Sequence, residues 1–164
     1  MSPDHDAVAS EIYEHLNTYI KLADQKASIL LTAQFAFLGL FANALRTLLP
    51  ETGTLFHGVA ILTALSGFIG IICAGFVIYP RTQPPANNDA GFIFWEDILD
   101  HSSSTAYNDA FTELNETALR DELVAENYAL AEITETKYRY LRWALRFTAA
   151  MLVCAFAAGG LYIT

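Results

Sequence analysis

Ala23-Asp24-Gln25-Lys26-Ala27-Ser28 is the stretch at which a polar part of this sequence gives way to an apolar one. No residue from 27 to 45 carries a charge. About 19 apolar residues, each rising about 1.5 Å, are enough to cross a bilayer core of about 30 Å. The run therefore predicts a transmembrane helix. Gln34 and Asn43 lie inside it and need polar partners, so we expect the helix to pack against protein on one face.

Two further uncharged runs have the length of a membrane span, at residues 55–79 and 147–164. The run at 147–164 extends back to residue 143 if the Arg146 side chain reaches the membrane interface. A hydrophobic content of 54% in 164 residues is high for a soluble domain of that size. The sequence thus predicts three spans, at about 27–48, 55–79 and 143–164.

Helical patterns flank the three runs. Ser2-Pro3 has the pattern of a helix start, and apolar residues then recur at spacings of four and three into the first span. From Thr117 onward no glycine or proline interrupts the approach to the third span, which predicts one long helix. Glu126 and Lys137 are charged members of its apolar stripe, which indicates a polar contact with another helix or a solvent-filled pocket.

The segment between the second and third spans has less regular parts. Pro84-Pro85 predicts a linker, because proline cannot continue a helix. The aromatic segment 91–99 is too short to span and is interpreted as a short strand or a half-turn at the lipid headgroups. The hydroxyl groups of residues 102–105 predict the cap of a helix that carries Tyr107.

The predicted fold is an all-α membrane protein with three transmembrane helices and a cytoplasmic helical module. It divides into a cytoplasmic amphipathic helix (1–26), a transmembrane hairpin (27–79), a cytoplasmic linker and helical region (80–142) and a third transmembrane helix (143–164). A stripe of Ser66, Gly70 and Ala74 in the second span permits close approach of a neighbouring helix, either within one chain or in an oligomer.

Basic residues predict the orientation in the membrane. Two lysines precede the first uncharged run, Arg46 alone lies between the first two runs, and six basic residues lie between the second and the third. This distribution predicts a membrane protein with a cytoplasmic N-terminus and an external C-terminus. The late start of the first apolar run argues against a cleavable signal peptide.

Composition and spacing exclude several classes of function. Residues 81–140 carry twelve carboxylates and four basic groups, which argues against a nucleic-acid partner. The four histidines lack metal-ligand spacing, and both cysteines lie within predicted spans. There is no glycine-rich phosphate loop and no recognisable nucleophile turn. We therefore predict a non-enzymatic protein without a catalytic site, bound metal or cofactor.

Charged residues gather at the predicted cytoplasmic ends of the spans. Asp24 and Lys26 precede the first span, Arg81 follows the second, and Lys137 precedes the third. Three helix ends bring these residues to one depth, where they can bind a small anion. The same pattern is typical of membrane anchoring, because basic and aromatic residues collect at bilayer interfaces.

An anion that carries a ring also needs a flat side chain and a hydrogen-bonding edge. We assign its phosphate to Lys26, Arg81 and Lys137, with Asp24 as the orienting partner of a basic side chain. Asn127 is the candidate for the ring edge. The candidates for stacking are Phe94, Trp95, Tyr107 and Tyr138.

Nearly the whole chain resembles the transmembrane effectors of Pycsar antiphage systems. The similarity lies in the string Ala23-Asp24-Gln25-Lys26-Ala27-Ser28-Ile29-Leu30-Leu31, in Tyr79-Pro80-Arg81, in Gly91-Phe92-Ile93-Phe94-Trp95 with Tyr107 downstream, and in Lys137-Tyr138. Trp95 stands where a second phenylalanine is expected, which keeps a stacking face but changes its size.

The resemblance implies a receptor that has no chemistry of its own. Such effectors are encoded beside a uridylate or cytidylate cyclase. They bind 3′,5′-cyclic UMP or cyclic CMP made during phage infection, and they then impair the inner membrane so that the infected cell stops growing or dies. We expect a cyclic pyrimidine mononucleotide and membrane lipid as partners, with a homo-oligomer as the assembly.

A second hypothesis belongs to a different class of function. The cytoplasmic helices of a membrane scaffold would bind a protein partner, and Glu126 and Lys137 would set the register of that contact. Binding of a cyclic nucleotide distinguishes the two hypotheses.

Overall fold

The computed structural model describes residues 5–48, 53–79, 92–93 and 95–163, with Leu48, Trp95 and Glu96 described by their backbone alone. These residues form five helices: α1 (His5–Leu48), α2 (Thr54–Ile78), α3 (Trp95–Asp100), α4 (Ser104–Glu113) and α5 (Glu116–Ile163). None of the described residues forms a strand. The all-α prediction is thereby confirmed, whereas the cytoplasmic position of a helical module stays a prediction.

Three of the helices are long and apolar enough to cross a membrane: α1, α2 and α5. α1 has 44 residues and α5 has 48, so their axes extend about 66 Å and about 72 Å. Each exceeds the thickness of a bilayer core and continues without a break into its polar part. The predictions of a continuous first helix and a single last helix are confirmed.

The short helices show where the sequence was harder to interpret. Residues 95–100 form α3, so the short strand or half-turn predicted for residues 91–99 is wrong for the part from Trp95 onward. The Ser103 side chain accepts a hydrogen bond from the Ala106 backbone N–H at 3.1 Å and caps α4, as its position predicted. The predicted Ser2-Pro3 helix start and the Pro84-Pro85 linker lie outside the described residues.

The chain forms two compact units. Unit 1 comprises Met1–Lys21 and Pro80–Glu135, and unit 2 comprises Leu22–Tyr79 and Thr136–Thr164. The domain boundaries predicted from the sequence are not decided by this division and stay predictions.

Unit 2 packs through small side chains and exposes large ones. Ala23 and Ala27 of α1 are fully buried in a cluster with Val77 of α2 and Leu141 of α5. A second cluster joins Phe56, Ala60 and Ala158. Large apolar side chains on the outside of these helices, such as Ile29, Leu40 and Phe156, are exposed. An apolar exterior of this kind is what a bilayer solvates well.

Candidate ligand-binding site

Lys137 is the most buried charged residue of unit 2 among those described, with 4% of its surface exposed. Its Nζ donates to the Asp24 Oδ1 at 2.5 Å and to the Val77 carbonyl oxygen at 2.5 Å. Val77 lies in the last turn of α2, where carbonyl groups lack partners within the helix and attract a cation. One ammonium group therefore joins α1, α2 and α5.

The local sequence explains how this contact forms. Ala23 and Ala27 lie one residue before and three residues after Asp24, so α1 can approach α2 and α5 closely while the carboxylate reaches Lys137. Leu141, one turn after Lys137, packs in the same cluster. A buried charge that has an ionic partner and a backbone acceptor avoids most of the cost of desolvation.

Lys26 takes a different position. Its Nζ lies 5.9 Å from the ring centroid of Tyr138, at an exposed site where such a contact is weak. The structure thus brings Asp24 to Lys137 and Lys26 to Tyr138. Arg81 and Phe94 lie outside the described residues, and Trp95 is described only as the first residue of α3.

Tyr107 belongs to an aromatic cluster in unit 1. Its hydroxyl donates to the Phe92 carbonyl oxygen at 3.0 Å, and its ring contacts those of Phe92, His101 and Phe111. The Glu122 carboxylate accepts from the backbone N–H groups of Phe92 and Ile93. These contacts attach residues 92–93 to α4 and α5, and the Tyr107 ring takes part in packing.

Asn127 joins α5 to the first turns of α1. Its Nδ2 donates to the Ala9 carbonyl oxygen at 2.9 Å. Its Oδ1 is buried, and no hydrogen-bond donor reaches it from the described residues. Nδ2 carries a second hydrogen, so the side chain keeps one donor besides this acceptor.

Glu126, the neighbour of Asn127, is 5% exposed. Burial raises the pKa of its carboxyl group, and the carboxylates of Asp97 and Glu122 raise it further. Burial also raises the pKa of Asp97, with a further contribution from Asp100. The sequence indicated that Glu126 lies in a packing stripe, but it did not indicate which carboxylates surround it.

A groove of about 480 Å³ lies in unit 1 beside Asn127. Its apolar wall is formed by Val8 and Ile12 of α1 and by Val124 of α5, and His5 and Arg120 lie along it. A neighbouring hollow of about 320 Å³ also contains Arg120. Sequence reasoning missed Arg120 because it lies far from every predicted span. The signal was present, since Arg120 is the single basic residue between Arg81 and Lys137.

The described residues define an all-α protein in which three helices, joined by a buried ionic contact, are long and apolar enough to cross a membrane. The family is then shown by sequence. The family model PycTM, described as the Pycsar effector protein domain, matches residues 8–164, and the chain belongs to this family of antiphage effectors. The resemblance found in the sequence is thereby confirmed. No curated protein and no solved structure matches the chain.

Proposed function

We propose that this Pycsar effector binds a cyclic pyrimidine mononucleotide, cyclic UMP or cyclic CMP, and then impairs the integrity of the inner membrane. The infected cell stops growing or dies as a result. The observation that carries the proposal is the family match over residues 8–164, together with three helices that are apolar enough to cross a bilayer.

The contact of Lys137 supports a mechanism in which helix packing changes. It joins three helices of unit 2 through two polar bonds, so one charged group contributes to the packing of all three. A ligand shifts such an arrangement only if it binds the disruptive state more tightly than the resting one. α5 includes both Arg120 and Lys137 in one unbroken helix, which gives a continuous element for transmitting the change.

The assembly is proposed to be a homo-oligomer in the inner membrane. The exposed apolar side chains of unit 2 fit either lipid or the same surface of a second copy. The contact residues predicted from the sequence stay predictions at this point. Of these, Lys26 is the exposed cation with an aromatic ring beside it, whereas Lys137 already donates to two oxygen atoms.

Calorimetry on the full-length protein in detergent tests ligand binding. Cyclic UMP or cyclic CMP is expected to bind, and cyclic AMP and linear UMP are not. Absence of heat with all four nucleotides would contradict the proposal and favour the membrane scaffold.

Dye release tests the effect on the membrane. Liposomes that contain the protein and a self-quenched dye should release the dye after addition of the nucleotide that binds, and protein-free liposomes should not. Binding without any release of dye would support the proposed nucleotide receptor and contradict the proposed damage to the membrane.

A further inference from the structure

We infer that the groove beside Arg120 is the nucleotide site of this effector, with Arg120 as the partner of the cyclic phosphate and the apolar wall as the surface for the ribose and the pyrimidine. The inference rests on the proposed function and deepens it, because it names the site.

Charge is the first argument. The sequence of unit 1 contains sixteen acidic residues and three basic ones, which are Lys21, Arg81 and Arg120. A phosphate anion near such a surface is repelled everywhere except beside a cation. Arg120 is the basic residue that lines the groove. Its planar guanidinium group suits the paired oxygens of a phosphate.

The guanidinium group of Arg120 has only a weak ionic partner among the described residues. Within the described residues its single ion pair joins Nε to the Asp121 Oδ1 at 3.8 Å, between neighbours in sequence. The Arg120 side chain is 42% exposed, so such a pair contributes little. Lys137, by comparison, is buried and donates to two oxygen atoms. Asp6 and Glu116 line the neighbouring hollow together with Arg120, so a phosphate there competes with carboxylates, whereas at Lys137 it has to displace two buried contacts.

The shape of the groove is the second argument. A volume of about 480 Å³ lies in the range of small-molecule sites, which is roughly 300–1,000 Å³. Val8, Ile12 and Val124 are left exposed along its wall although each is a large apolar residue. A pyrimidine ring that packs on them removes this apolar surface from water.

The third argument is the amide of Asn127, which lines the same groove. Its Nδ2 is held by the Ala9 carbonyl, and its buried Oδ1 lacks a donor among the described residues. Because this Oδ1 is buried, a ligand in the groove reaches it only after the Asn127 side chain shifts. The N–H groups of uracil and cytosine suit the acceptor once it is uncovered. A buried acceptor without a donor is costly, so supplying that donor favours the ligand-bound state.

Arg120→Gln tests the phosphate contact in the full-length protein, with calorimetry against cyclic UMP, cyclic CMP, uridine and cytidine. We expect Kd for the cyclic nucleotide to rise tenfold or more. The preference for the cyclic nucleotide over its own nucleoside should shrink toward one, because the nucleoside lacks the phosphate. Arg139→Gln is the matched control, since it removes an exposed arginine from the same helix outside the groove. It should leave Kd unchanged.

Val124→Phe tests the apolar wall without changing charge. The larger side chain fills the groove, so affinity for the nucleotide and for the nucleoside should fall together. Thermal unfolding of each variant without ligand verifies that it folds.

The outcomes separate the two proposals. If the unsubstituted protein binds a cyclic pyrimidine nucleotide but Arg120→Gln and Val124→Phe bind it equally well, the groove is not the site and the proposed function stands. Loss of binding in Lys26→Gln alone would assign the site to unit 2. If Val124→Phe leaves Kd unchanged but changes the oligomeric state measured by light scattering, the groove is a protein-docking surface. If no nucleotide binds the unsubstituted protein, both proposals fail.

Discussion

Asp24 and Lys137 form one contact but differ in their exposure to solvent. The Lys137 side chain is 5% exposed and the Asp24 side chain is 37% exposed. Removing Asp24 leaves a buried ammonium group without its counterion. Removing Lys137 leaves a carboxylate that water can reach. The two deletions should therefore differ in their effect on stability.

We predict that Asp24→Ala lowers the thermal unfolding temperature more than Lys137→Met does. The free-energy cost of Asp24→Ala should be about 2–3 kcal/mol, below the roughly 3–5 kcal/mol of a fully buried pair because Asp24 is partly solvated. The double variant should unfold near the temperature of Lys137→Met, since it contains no buried charge at this position. Thermal unfolding in detergent measures all three, and an equal loss in the two single variants would contradict the account.

The sequence identified two charged residues of the packed helices but not the groups that they contact. The charged positions Glu126 and Lys137 were visible in the apolar stripe of the last helix, because a charge interrupts a periodic pattern. Their partners were not visible. Asp24 lies 113 residues from Lys137 in the chain, and Val77 lies 60 residues away. No local pattern specifies a pair at such a distance.

At the scale of elements, the three long helices of unit 2 pack around a polar layer. Gln34 of α1 is 1% exposed, and its Nε2 donates to the Thr148 Oγ1 of α5 at 2.5 Å. Gly70 of α2 faces this amide, and a Cβ atom at Gly70 would lie 2.5 Å from the Gln34 Nε2. The glycine therefore makes room for the hydrogen bond, within the small-residue stripe that the sequence indicated.

Gly70→Ala is expected to destabilise the packed helices, by about 1–3 kcal/mol for overpacking of a close contact. Gly75→Ala is the control in the same helix, because a Cβ atom there meets nothing within 4 Å. That control should be neutral or slightly stabilising, since alanine favours helix by up to about 1 kcal/mol over glycine. Adding Gln34→Ala to Gly70→Ala should restore part of the loss. Equal unfolding temperatures for Gly70→Ala and Gly75→Ala would show that the polar layer tolerates a Cβ atom at residue 70.

The sequence predicted the three long helices, but it did not predict that the short segment 95–100 is helical. α1, α2 and α5 have long apolar patterns without proline in their described parts. α3 has six residues, too few for a period to repeat. Aromatic residues suit strands and interfaces as well as helices, so composition could not decide this segment.

For the whole molecule, the distribution of basic residues predicts orientation. Alkaline phosphatase fused after Thr164 should be active, because the enzyme folds outside the cytoplasm and the C-terminus is predicted to be external. Green fluorescent protein at the same position should not fluoresce. The control is phosphatase fused after Tyr79, which is predicted to be cytoplasmic and therefore inactive. The opposite pattern would reverse the predicted orientation and place the residues between the second and third spans outside the cytoplasm.

The helical fold, the three helices able to cross a membrane and the membership of the Pycsar effectors could all be recognised in the sequence. Length, hydropathy and periodicity carry the first two, and each is a property of a continuous segment. The family was recognised instead from motifs that resemble those of Pycsar effectors, and the family match confirms it. The tertiary structure alone decided that Lys137 joins Asp24 and Val77, that Gln34 meets Thr148 and that Arg120 lies in a groove. These pairings depend on how each helix is rotated about its axis and on its register against the others. Rotation and register follow from the packing of all the side chains together, so no single segment encodes them.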